Sequence, residues 1–469
     1  MSGAPRQQPT YRAPTSGSRS SSGRRRHGRP MRAQGLRAPS RRAHRVMSRS
    51  SIASAVDWER ALTVVLVLEL VASAVLVAVM AVGSPINAHP DEVLHLSAGQ
   101  YFREHWLPPP VGAAETATTY SKYGISYLDE ADIVYWAFGK AEALGMGLGL
   151  EPPAAMRWFQ VALYWGLVAW LIFRARTFSP ALGFLLLTPQ VWYVFSYING
   201  DALPFVLLTV LLVELGWPES AVRAFLKDAR ARPTTGAVVV GGLLGVLAVC
   251  KLNYLVSLGF LGYSLLWLRK DVGNWRGLAL LVLIAAAIAA PWTVYHAWVN
   301  EFQTGTKRSE YAERVAVPFM ALRAKGVSLW DVLMTLNWVG LSFRSFCGLY
   351  GWMSIAAPPW IYDVFGGLYA SLLALLILPV ALRGSSRAWL LLTGALVCAA
   401  LVLAQSVYRS WVFDFQGQGR YLFPILPMLF FYWRQSDATA LRRPALVVAV
   451  LLGAVGLLSF TVIGLGSLA

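Results

Sequence analysis

Apolar runs long enough to cross a lipid bilayer recur along most of this chain. A helix needs about twenty predominantly apolar residues to span the hydrocarbon core, so such runs predict transmembrane helices. The composition agrees, because 56% of the 469 residues are hydrophobic and only 14% are charged. Soluble domains are about one quarter charged. The sequence therefore predicts a single polytopic membrane domain rather than several soluble ones.

The predicted fold class is all-α, a polytopic transmembrane helix bundle. Run length predicts about eleven spans. They cover residues 61–83, 156–173, 179–197, 202–217, 235–250, 253–268, 277–298, 364–382, 388–407, 421–433 and 445–467. The run at 421–433 is short and the two runs within 235–268 lie close together, which leaves the exact count open.

Loop charges predict the orientation of the bundle. With a cytoplasmic N-terminus, every predicted inner loop is net basic, for example the loops that carry Arg174 and Arg383. The positive-inside rule favours this orientation over its opposite. Abundant Ala, Arg and Gly are typical of a GC-rich bacterial genome, so we expect residues 56–469 to form a domain in the bacterial plasma membrane.

The N-terminal residues 1–55 have a different composition. Residues 1–50 contain thirteen arginines and no acidic residue, which supplies +13 of the net charge of +17. A segment rich in Arg, Ser, Pro and Gly is expected to be a disordered cytoplasmic tail. It would hold the N-terminus in the cytosol or bind anionic headgroups. An organellar transit peptide is a further alternative, and no specific nucleic-acid partner is expected.

Two outer loops are long, residues 84–155 and 300–363. Long loops with structure of their own commonly carry binding and catalytic residues. The first contains helix-like stretches at 92–105 and 129–145, so we expect a helical first extracytoplasmic loop.

The most informative motif follows the first predicted span. Pro90 can open a helix at its first turn, with Asp91 and Glu92 at the N-terminus and His95 one turn later. Two carboxylates and an imidazole suit general-base catalysis or a divalent cation held by Asp91 and Glu92. Acidic residues are also common at helix N-termini, so a charged helix cap is the alternative interpretation.

Two further motifs carry charge at predicted outer ends of spans. Asn199 and Asp201 belong to a tight turn, where Asp201 is either a helix cap or a contact to a hydroxyl-rich substrate. Lys251, with Tyr254, lies between two cramped spans. It is either a phosphate contact or a lysine that extends to the interface.

The last two motifs combine arginine with aromatic residues and glycine. Arg344 and Trp352 lie in the second long loop, where an interfacial aromatic belt would also explain the composition. Gln418, Arg420 and Tyr421 lie where another predicted span begins. Each arginine is suited to a phosphate group. Under the predicted topology all these motifs lie on the outer face. Their acids are suited to deprotonate an acceptor hydroxyl, and their cations are suited to bind a phosphate leaving group.

In this order, the motifs resemble those of the membrane glycosyltransferases of the GT-C superfamily. More narrowly, the chain resembles an uncharacterised family of predicted bacterial membrane proteins, domain of unknown function 2142. The resemblance covers roughly residues 60–435. It rests on Pro90-Asp91-Glu92 with His95, Asn199-Gly200-Asp201, Lys251 with Tyr254, Gly348 with Gly351-Trp352, and Gly419-Arg420-Tyr421 before Pro424.

The resemblance implies a polyprenyl-phosphate sugar donor and a catalytic carboxylate, Asp91 or Glu92, in the first outer loop. We find no recognisable soluble C-terminal domain, which favours a glycan or glycolipid acceptor over a protein. Our hypothesis makes Asp91 the general base, with Glu92 and His95 positioning it or helping to bind a metal.

In the same hypothesis, Lys251, Arg344 and Arg420 stabilise the departing phosphate. The alternatives are a lipid-linked substrate transporter or flippase and a non-catalytic envelope-assembly protein. Predicted span interiors are nearly free of charge, which favours the enzyme, but Glu69 lies near the middle of the first span and suits a transporter.

Overall fold

The computed structural model describes residues 49–468, apart from 175–179, 233, 316–319 and 437–440. The chain divides into two units, Met1–Ile52 and Ala53–Ala469, and the second contains the apolar helices. Most of the predicted tail, residues 1–48, lies outside the described residues. Residues 49–55, which the sequence placed in that tail, belong to the first helix instead.

Helices account for nearly all the regular structure of the described residues. The α-helices are α1 Arg49–Gly83, α2 Glu92–Glu104, α3 Ile133–Gly147, α4 Pro152–Arg174, α5 Pro180–Gly183, α6 Pro189–Val194, α7 Ala202–Gly216, α8 Ala221–Lys227, α9 Thr235–Ala248, α10 Leu255–Trp267, α11 Trp275–Val299, α12 Thr304–Arg314, α13 Leu329–Leu333, α14 Trp338–Phe346, α15 Pro359–Arg383, α16 Ser386–Val412, α17 Ile425–Gln435, α18 Arg442–Leu458 and α19 Gly466–Leu468.

The remaining elements are short. Two strands, β1 Leu349–Tyr350 and β2 Ile355–Ala356, pair antiparallel. Short 3-10 helices include Tyr127–Glu130 and Gly419–Leu422, and a π-helical turn, Ser459–Leu465, follows α18. The all-α class predicted from the sequence therefore describes the fold.

Polar residues cap several of these helices and explain where they begin. The side chain of Asp132 accepts a hydrogen bond from the backbone N–H of Val134 at the start of α3. Asn274 caps α11 and Ser385 caps α16 in the same way. Each cap satisfies one of the N–H groups that a helix N-terminus leaves unpaired.

Six helices of the described residues are long and apolar enough to cross a membrane. These spans are Trp58–Gly83, Pro152–Arg174, Trp275–Val299, Pro359–Arg383, Ser386–Val412 and Arg442–Leu468. A seventh is formed if α7 and α8, which bend by 53° at their junction, are counted as one. Residues Thr235–Ala248 and Leu252–Trp267 form shorter apolar helices. The predicted count of about eleven spans is not confirmed.

One apolar run explains part of this difference. The sequence predicted a continuous span at 179–197, but its described part contains the short helices α5 and α6, joined by a 3-10 turn. Every residue from 182 to 200 is buried within the protein. Apolar residues are favoured in a protein core as well as in lipid, so run length alone does not distinguish the two.

The first span shows the pattern expected of a helix between protein and lipid. Leu66 and Leu70 are fully buried in the core, whereas Val64 and Leu68 are 57% and 62% exposed. A helix that is apolar on both its buried and its exposed face is suited to a membrane.

The two long loops pack against each other at one end of the bundle. The backbone N–H of Val111 donates to Asn300 Oδ1 at 2.8 Å, and Trp352 Nε1 donates to the carbonyl oxygen of Asn87 at 2.7 Å. The first loop contains α2 and α3, close to the helical stretches predicted there. This meeting of loops builds the site described below.

Helices α2 and α3 approach each other closely because glycine lies at their contact. A Cβ atom at Gly139 would lie 2.4 Å from the carbonyl carbon of Phe102 and 2.5 Å from the backbone nitrogen of Arg103. Both atoms belong to the backbone of α2 and cannot rotate away. The distance between the two helices therefore depends on Gly139.

We expect Gly139→Ala to destabilise the protein by about 1–3 kcal/mol, the usual cost of overpacking. Gly147→Ala is the matched control in the same helix, because a Cβ there has no neighbour within 4 Å. Thermal unfolding of the purified proteins in detergent compares them. Equal melting temperatures for the two variants would show that α2 and α3 separate without cost.

Candidate functional site

Asp91 has an unusual backbone conformation between α1 and α2. Its φ and ψ of 60° and 8° lie in the left-handed region, which costs a non-glycine residue about 1–2 kcal/mol. Asp91 occupies the N-cap position of α2, yet its side chain makes no capping hydrogen bond. Asp91 therefore does not cap α2 through a hydrogen bond, although its charge lies at the helix N-terminus.

The Asp91 carboxylate is instead directed toward a cavity. Its Oδ2 atom accepts a hydrogen bond from the hydroxyl of Tyr127 at 3.2 Å. Burial, and then the charge of Asp91, raise the pKa of the Tyr127 phenol well above its usual value, so this hydroxyl stays protonated and donates. The Asp91 side chain is 28% exposed.

Arg420 connects Asp91 to a second carboxylate. Its Nη2 atom lies 3.8 Å from Asp91 Oδ2, and its Nε atom lies 3.6 Å from Asp201 Oδ2. Nη1 also donates to the hydroxyl of Tyr197 at 3.4 Å. A Cβ at Gly419 would lie 2.2 Å from the backbone nitrogen of Phe346, so glycine is needed for this segment to pass close to α14.

Asp201 pairs with the lysine that the sequence singled out. Lys251 Nζ lies 2.9 Å from Asp201 Oδ2, and the Asp201 side chain is fully buried. Asp201 also lies at an N-cap position, but its side chain makes no capping hydrogen bond to α7, so the predicted helix cap at Asp201 is wrong. Asn199 Oδ1 accepts a hydrogen bond from the backbone N–H of Asp201. The Tyr254 hydroxyl donates a hydrogen bond to the backbone carbonyl oxygen of Asp201.

These contacts form a chain of alternating charge, Asp91, Arg420, Asp201 and Lys251. The two carboxylates and two cations balance formally. Burying a charge is costly unless it is paired, and this pairing allows four ionic groups to lie together. The four residues come from four separate predicted motifs, and the structure brings them together.

A cavity of about 660 Å³ opens beside this network. Its wall combines polar and apolar residues from both long loops and from α16. They are Asp91, Leu94, Tyr120, Ser121, Lys122, Tyr123, Ile125, Ser126, Tyr127, Glu130, Lys251, Asn253, Arg308, Trp352, Val402, Gln405, Ser406, Arg409, Ser410, Phe413, Asp414, Gln416 and Tyr421. A cavity of this size is typical of small-molecule and cofactor sites.

Glu92 points away from this cavity, although it follows Asp91 directly. Its carboxylate forms a bidentate ion pair with Arg157, with Nε–Oε1 and Nη2–Oε2 distances of 2.8 Å. Arg157 also donates to the carbonyl oxygens of Ala81, Ser84 and Pro85. Glu92 therefore holds the end of α1 to the start of α2.

This geometry favours one of the two roles predicted for Glu92. Both of its oxygens accept hydrogen bonds from Arg157, which favours positioning Asp91 over binding a metal. Among the described residues, no group of three or more His, Cys, Asp and Glu side chains is arranged to hold a metal ion. The predicted divalent cation at Asp91 and Glu92 stays a prediction.

His95 lies behind the cavity wall. Its ring stacks on Tyr127 with centroids 4.1 Å apart, and Nδ1 lies 2.8 Å from the Tyr135 hydroxyl. Burial, with the nearby charges of Lys251 and Arg420, lowers the pKa of His95 well below its usual value. A neutral, buried ring suits a residue that positions Tyr127 rather than one that contacts substrate.

The other predicted residues divide into two groups. Trp352 and Tyr421 line the cavity. Arg344 is exposed and stacks over the ring of Tyr362 at 5.8 Å, outside the cavity wall. Gln418 is half-buried and also lies outside that wall. The geometry therefore does not support Arg344 as a phosphate contact.

Two acidic residues of the first loop have raised pKa values. Burial raises the pKa of Asp132 to about 7 and that of Asp129 to about 6. Asp132 caps α3, and Asp129 accepts a hydrogen bond from the Tyr120 hydroxyl at 2.7 Å. Both carboxylates support the loop from behind the cavity.

Sequence reasoning missed several residues that matter here. Tyr127 and Arg157 carry no motif, although a lone arginine within the apolar run of α4 is a signal of a buried partner. Glu130, Arg308 and Arg409 were also missed, because they come from three distant segments. No local pattern connects such residues.

A family model covers most of the chain, from residue 102 to residue 429, and describes a predicted membrane protein, DUF2142. The chain belongs to this family. The matched residues include Asp201, Lys251 and Arg420 but begin after Asp91. No curated protein and no solved structure matches the chain significantly.

Family membership and the apolar helices together show an integral membrane protein in contact with the lipid bilayer. The family description specifies no reaction. The resemblance to the GT-C superfamily is not tested by these matches and stays a prediction.

We expect Arg157→Met to destabilise the protein by about 3–5 kcal/mol, because it leaves the buried Glu92 carboxylate without its partner. Adding Glu92→Gln should recover part of this loss by removing the stranded charge. Arg443→Met is the control, since the Arg443–Glu59 pair is substantially exposed and contributes little.

Chemical unfolding in detergent measures all four proteins. A loss for Arg157→Met no larger than that of the control would contradict this account of the Glu92–Arg157 pair.

Proposed function

We propose that this protein is a glycosyltransferase that moves a sugar from a polyprenyl-phosphate donor to a hydroxyl of a glycan or glycolipid in the cell envelope. The transfer takes place at the extracytoplasmic face of the bacterial plasma membrane. The observation that carries the proposal is Asp91, which is held in a strained conformation with its carboxylate in the cavity. Backbone strain of this kind is common at functional sites.

Asp91 is suited to the role of general base. Tyr127 and Arg420 both contact its Oδ2 atom. Among the described residues, this leaves Oδ1 available for an acceptor hydroxyl in the cavity. A positioned carboxylate that accepts a proton as the new bond forms is a standard general base.

The transfer balances as a single displacement. Asp91 takes the proton of the acceptor hydroxyl, and the acceptor oxygen bonds to the anomeric carbon. The bond from that carbon to the phosphate oxygen breaks, and its electron pair leaves on the phosphate. Cations at the cavity wall, among them Lys251, favour the negative charge that develops there.

The convergence of Asp91, Asp201, Lys251 and Arg420 supports an enzyme over a non-catalytic assembly protein. An assembly protein does not require separate acidic and basic motifs to meet beside one cavity. Ionisable groups are expensive at the edge of a membrane, and their concentration here favours chemistry or binding.

We expect Asp91→Asn to reduce sugar transfer by roughly 10²–10⁴-fold, the usual contribution of a general base. Asparagine tolerates the left-handed conformation, so folding should be preserved. The assay follows release of polyprenyl phosphate in proteoliposomes supplied with polyprenyl-phosphate sugars and envelope glycans.

Asp363→Asn is the matched control, because Asp363 is exposed and lies outside the cavity wall. Transfer by the Asp91→Asn protein at the wild-type rate would exclude Asp91 as the base.

One observation favours the transporter alternative. Glu69 is only 8% exposed within α1, and its Oε2 atom has no hydrogen-bond partner among the described residues. Buried acids within spans commonly carry protons in transporters.

Glu69→Gln separates the two functions. A transferase should retain its rate of sugar transfer within about twofold, since Glu69 does not line the cavity. A proton-coupled transporter should lose movement of a labelled lipid-linked sugar across proteoliposomes. Loss of transbilayer movement in Glu69→Gln, with no transfer in the wild type, would favour the transporter.

A further inference from the structure

A second charged group lies in the cavity, apart from the Asp91 network. Arg409 Nη2 lies 2.7 Å from Glu130 Oε1, and Arg308 Nη2 lies 3.7 Å from the same oxygen. Glu130 ends a 3-10 helix of the first loop, Arg308 lies on α12 and Arg409 lies in the last turn of α16. Three distant segments thus meet at one carboxylate.

The two arginines are more open to the cavity than the acid they share. The Glu130 side chain is 15% exposed, whereas those of Arg308 and Arg409 are 30% and 44% exposed. A guanidinium has five N–H donors, so one carboxylate leaves most of these donors unused. The group carries a net charge of +1.

Electrostatics keep Glu130 in its charged form. Burial alone would raise the pKa of Glu130, but the attraction of Arg409 and Arg308 outweighs it, and the net shift is downward. An ionised Glu130 orients both guanidinium groups at the cavity wall. Lys122 and Lys251 line the same cavity, as do Asp91 and Asp414. With Arg308, Arg409 and Glu130, the wall has four cations and three carboxylates, and the cations concentrate at the two arginines, which favours an anion there.

One face of α16 extends the cavity below Arg409. Val402, Ser406 and Arg409 all line the cavity, and their spacing of three or four residues places them on one side of the helix. Val402 lies seven residues before Arg409, which corresponds to about 10 Å along the axis. Because α16 is a membrane span, the cavity continues toward the depth of the hydrocarbon.

We propose that Arg308 and Arg409 form the binding site for the phosphate of a lipid-linked donor, with the first units of its polyprenyl chain along α16 toward Val402. This inference rests on the proposed function, since it names the subsite of that donor. A planar guanidinium group commonly binds phosphate through two parallel N–H···O hydrogen bonds. Arg420 lies buried between Asp91 and Asp201 and does not line the cavity, so it acts on the base rather than on the phosphate.

The test measures binding of a long-chain polyprenyl phosphate to the full-length protein in detergent micelles. The double variant Arg308→Gln/Arg409→Gln should raise the Kd by roughly tenfold or more, as expected for losing charge-assisted hydrogen bonds. Arg314→Gln/Arg323→Gln is the matched control, because both arginines are exposed in the same long loop and lie outside the cavity wall. The control should bind like the wild type.

A folded double variant with wild-type affinity would overturn the proposal. Arg308→Lys/Arg409→Lys is a second test in case the glutamine variant does not fold. It keeps both charges but loses the planar fork, so an intermediate Kd is expected. If the glutamine variant does not fold and the folded Arg308→Lys/Arg409→Lys protein binds the polyprenyl phosphate with wild-type affinity, the proposed site would also be excluded.

Two competitors separate the sources of the phosphate. Inorganic phosphate should displace the lipid only at concentrations far above the Kd of the lipid, and the polyprenyl alcohol without phosphate should not displace it at matched concentration. Equal potency of inorganic phosphate would show a free-phosphate site and exclude the lipid chain along α16.

The same measurement separates this proposal from that of the catalytic base. Asp91→Asn should bind the polyprenyl phosphate with wild-type affinity while losing transfer. If Asp91→Asn transfers normally and the arginine variant still loses binding, the base is wrong and the phosphate site stands. If Asp91→Asn loses transfer and the arginine variant binds normally, the phosphate site is wrong and the base stands.

Discussion

The candidate site depends on the buried ion pair between Glu92 and Arg157. Moving two charges out of water costs several kcal/mol for each ion, and this cost is offset only when geometry and hydrogen bonding are nearly complete. Here the pair is bidentate, and Arg157 also binds backbone carbonyls at the end of α1. Glu92 accepts further hydrogen bonds from the backbone N–H groups of Asn87 and Ile198. Three parts of the fold are thereby held together around the segment that carries Asp91.

The left-handed backbone at Asp91 separates the functions of two adjacent acids. With a φ of 60°, the Asp91 side chain points into the cavity while the Glu92 side chain points into the core. An extended or helical backbone at Asp91 would give its side chain a different direction relative to that of Glu92. The strain at Asp91 costs about 1–2 kcal/mol, which is less than the loss of about 3–5 kcal/mol expected when the adjacent ion pair is broken. Of the two adjacent acids, Glu92 therefore stabilises the fold and Asp91 lines the cavity.

Much of the site was predictable because charges are rare in so apolar a chain. Asp91, Asp201, Lys251 and Arg420 stood out for that reason, and α2 and α3 followed from their helical patterns. The roles of Glu92 and Arg344 were not predictable, since side-chain direction depends on tertiary contacts. Residues 179–197 were predicted to span the membrane because burial in protein and burial in lipid favour the same amino acids. Arg308 lies in a polar helix that resembles any solvated loop, so nothing local indicated its partner.

Because both long loops form the cavity wall, the cavity cannot form until both loops have been synthesised. Asn87 and its partner Trp352 are 265 residues apart in the chain. Arg308, which completes the pair of arginines at Glu130, also follows the first loop by a long interval. A nascent chain that has inserted α1 to α11 has one wall of the cavity and no opposing wall. Asp91 and Glu130 then lack Arg420, Arg308 and Arg409, so these two carboxylates remain without their arginine partners until the later part of the chain has been synthesised and inserted.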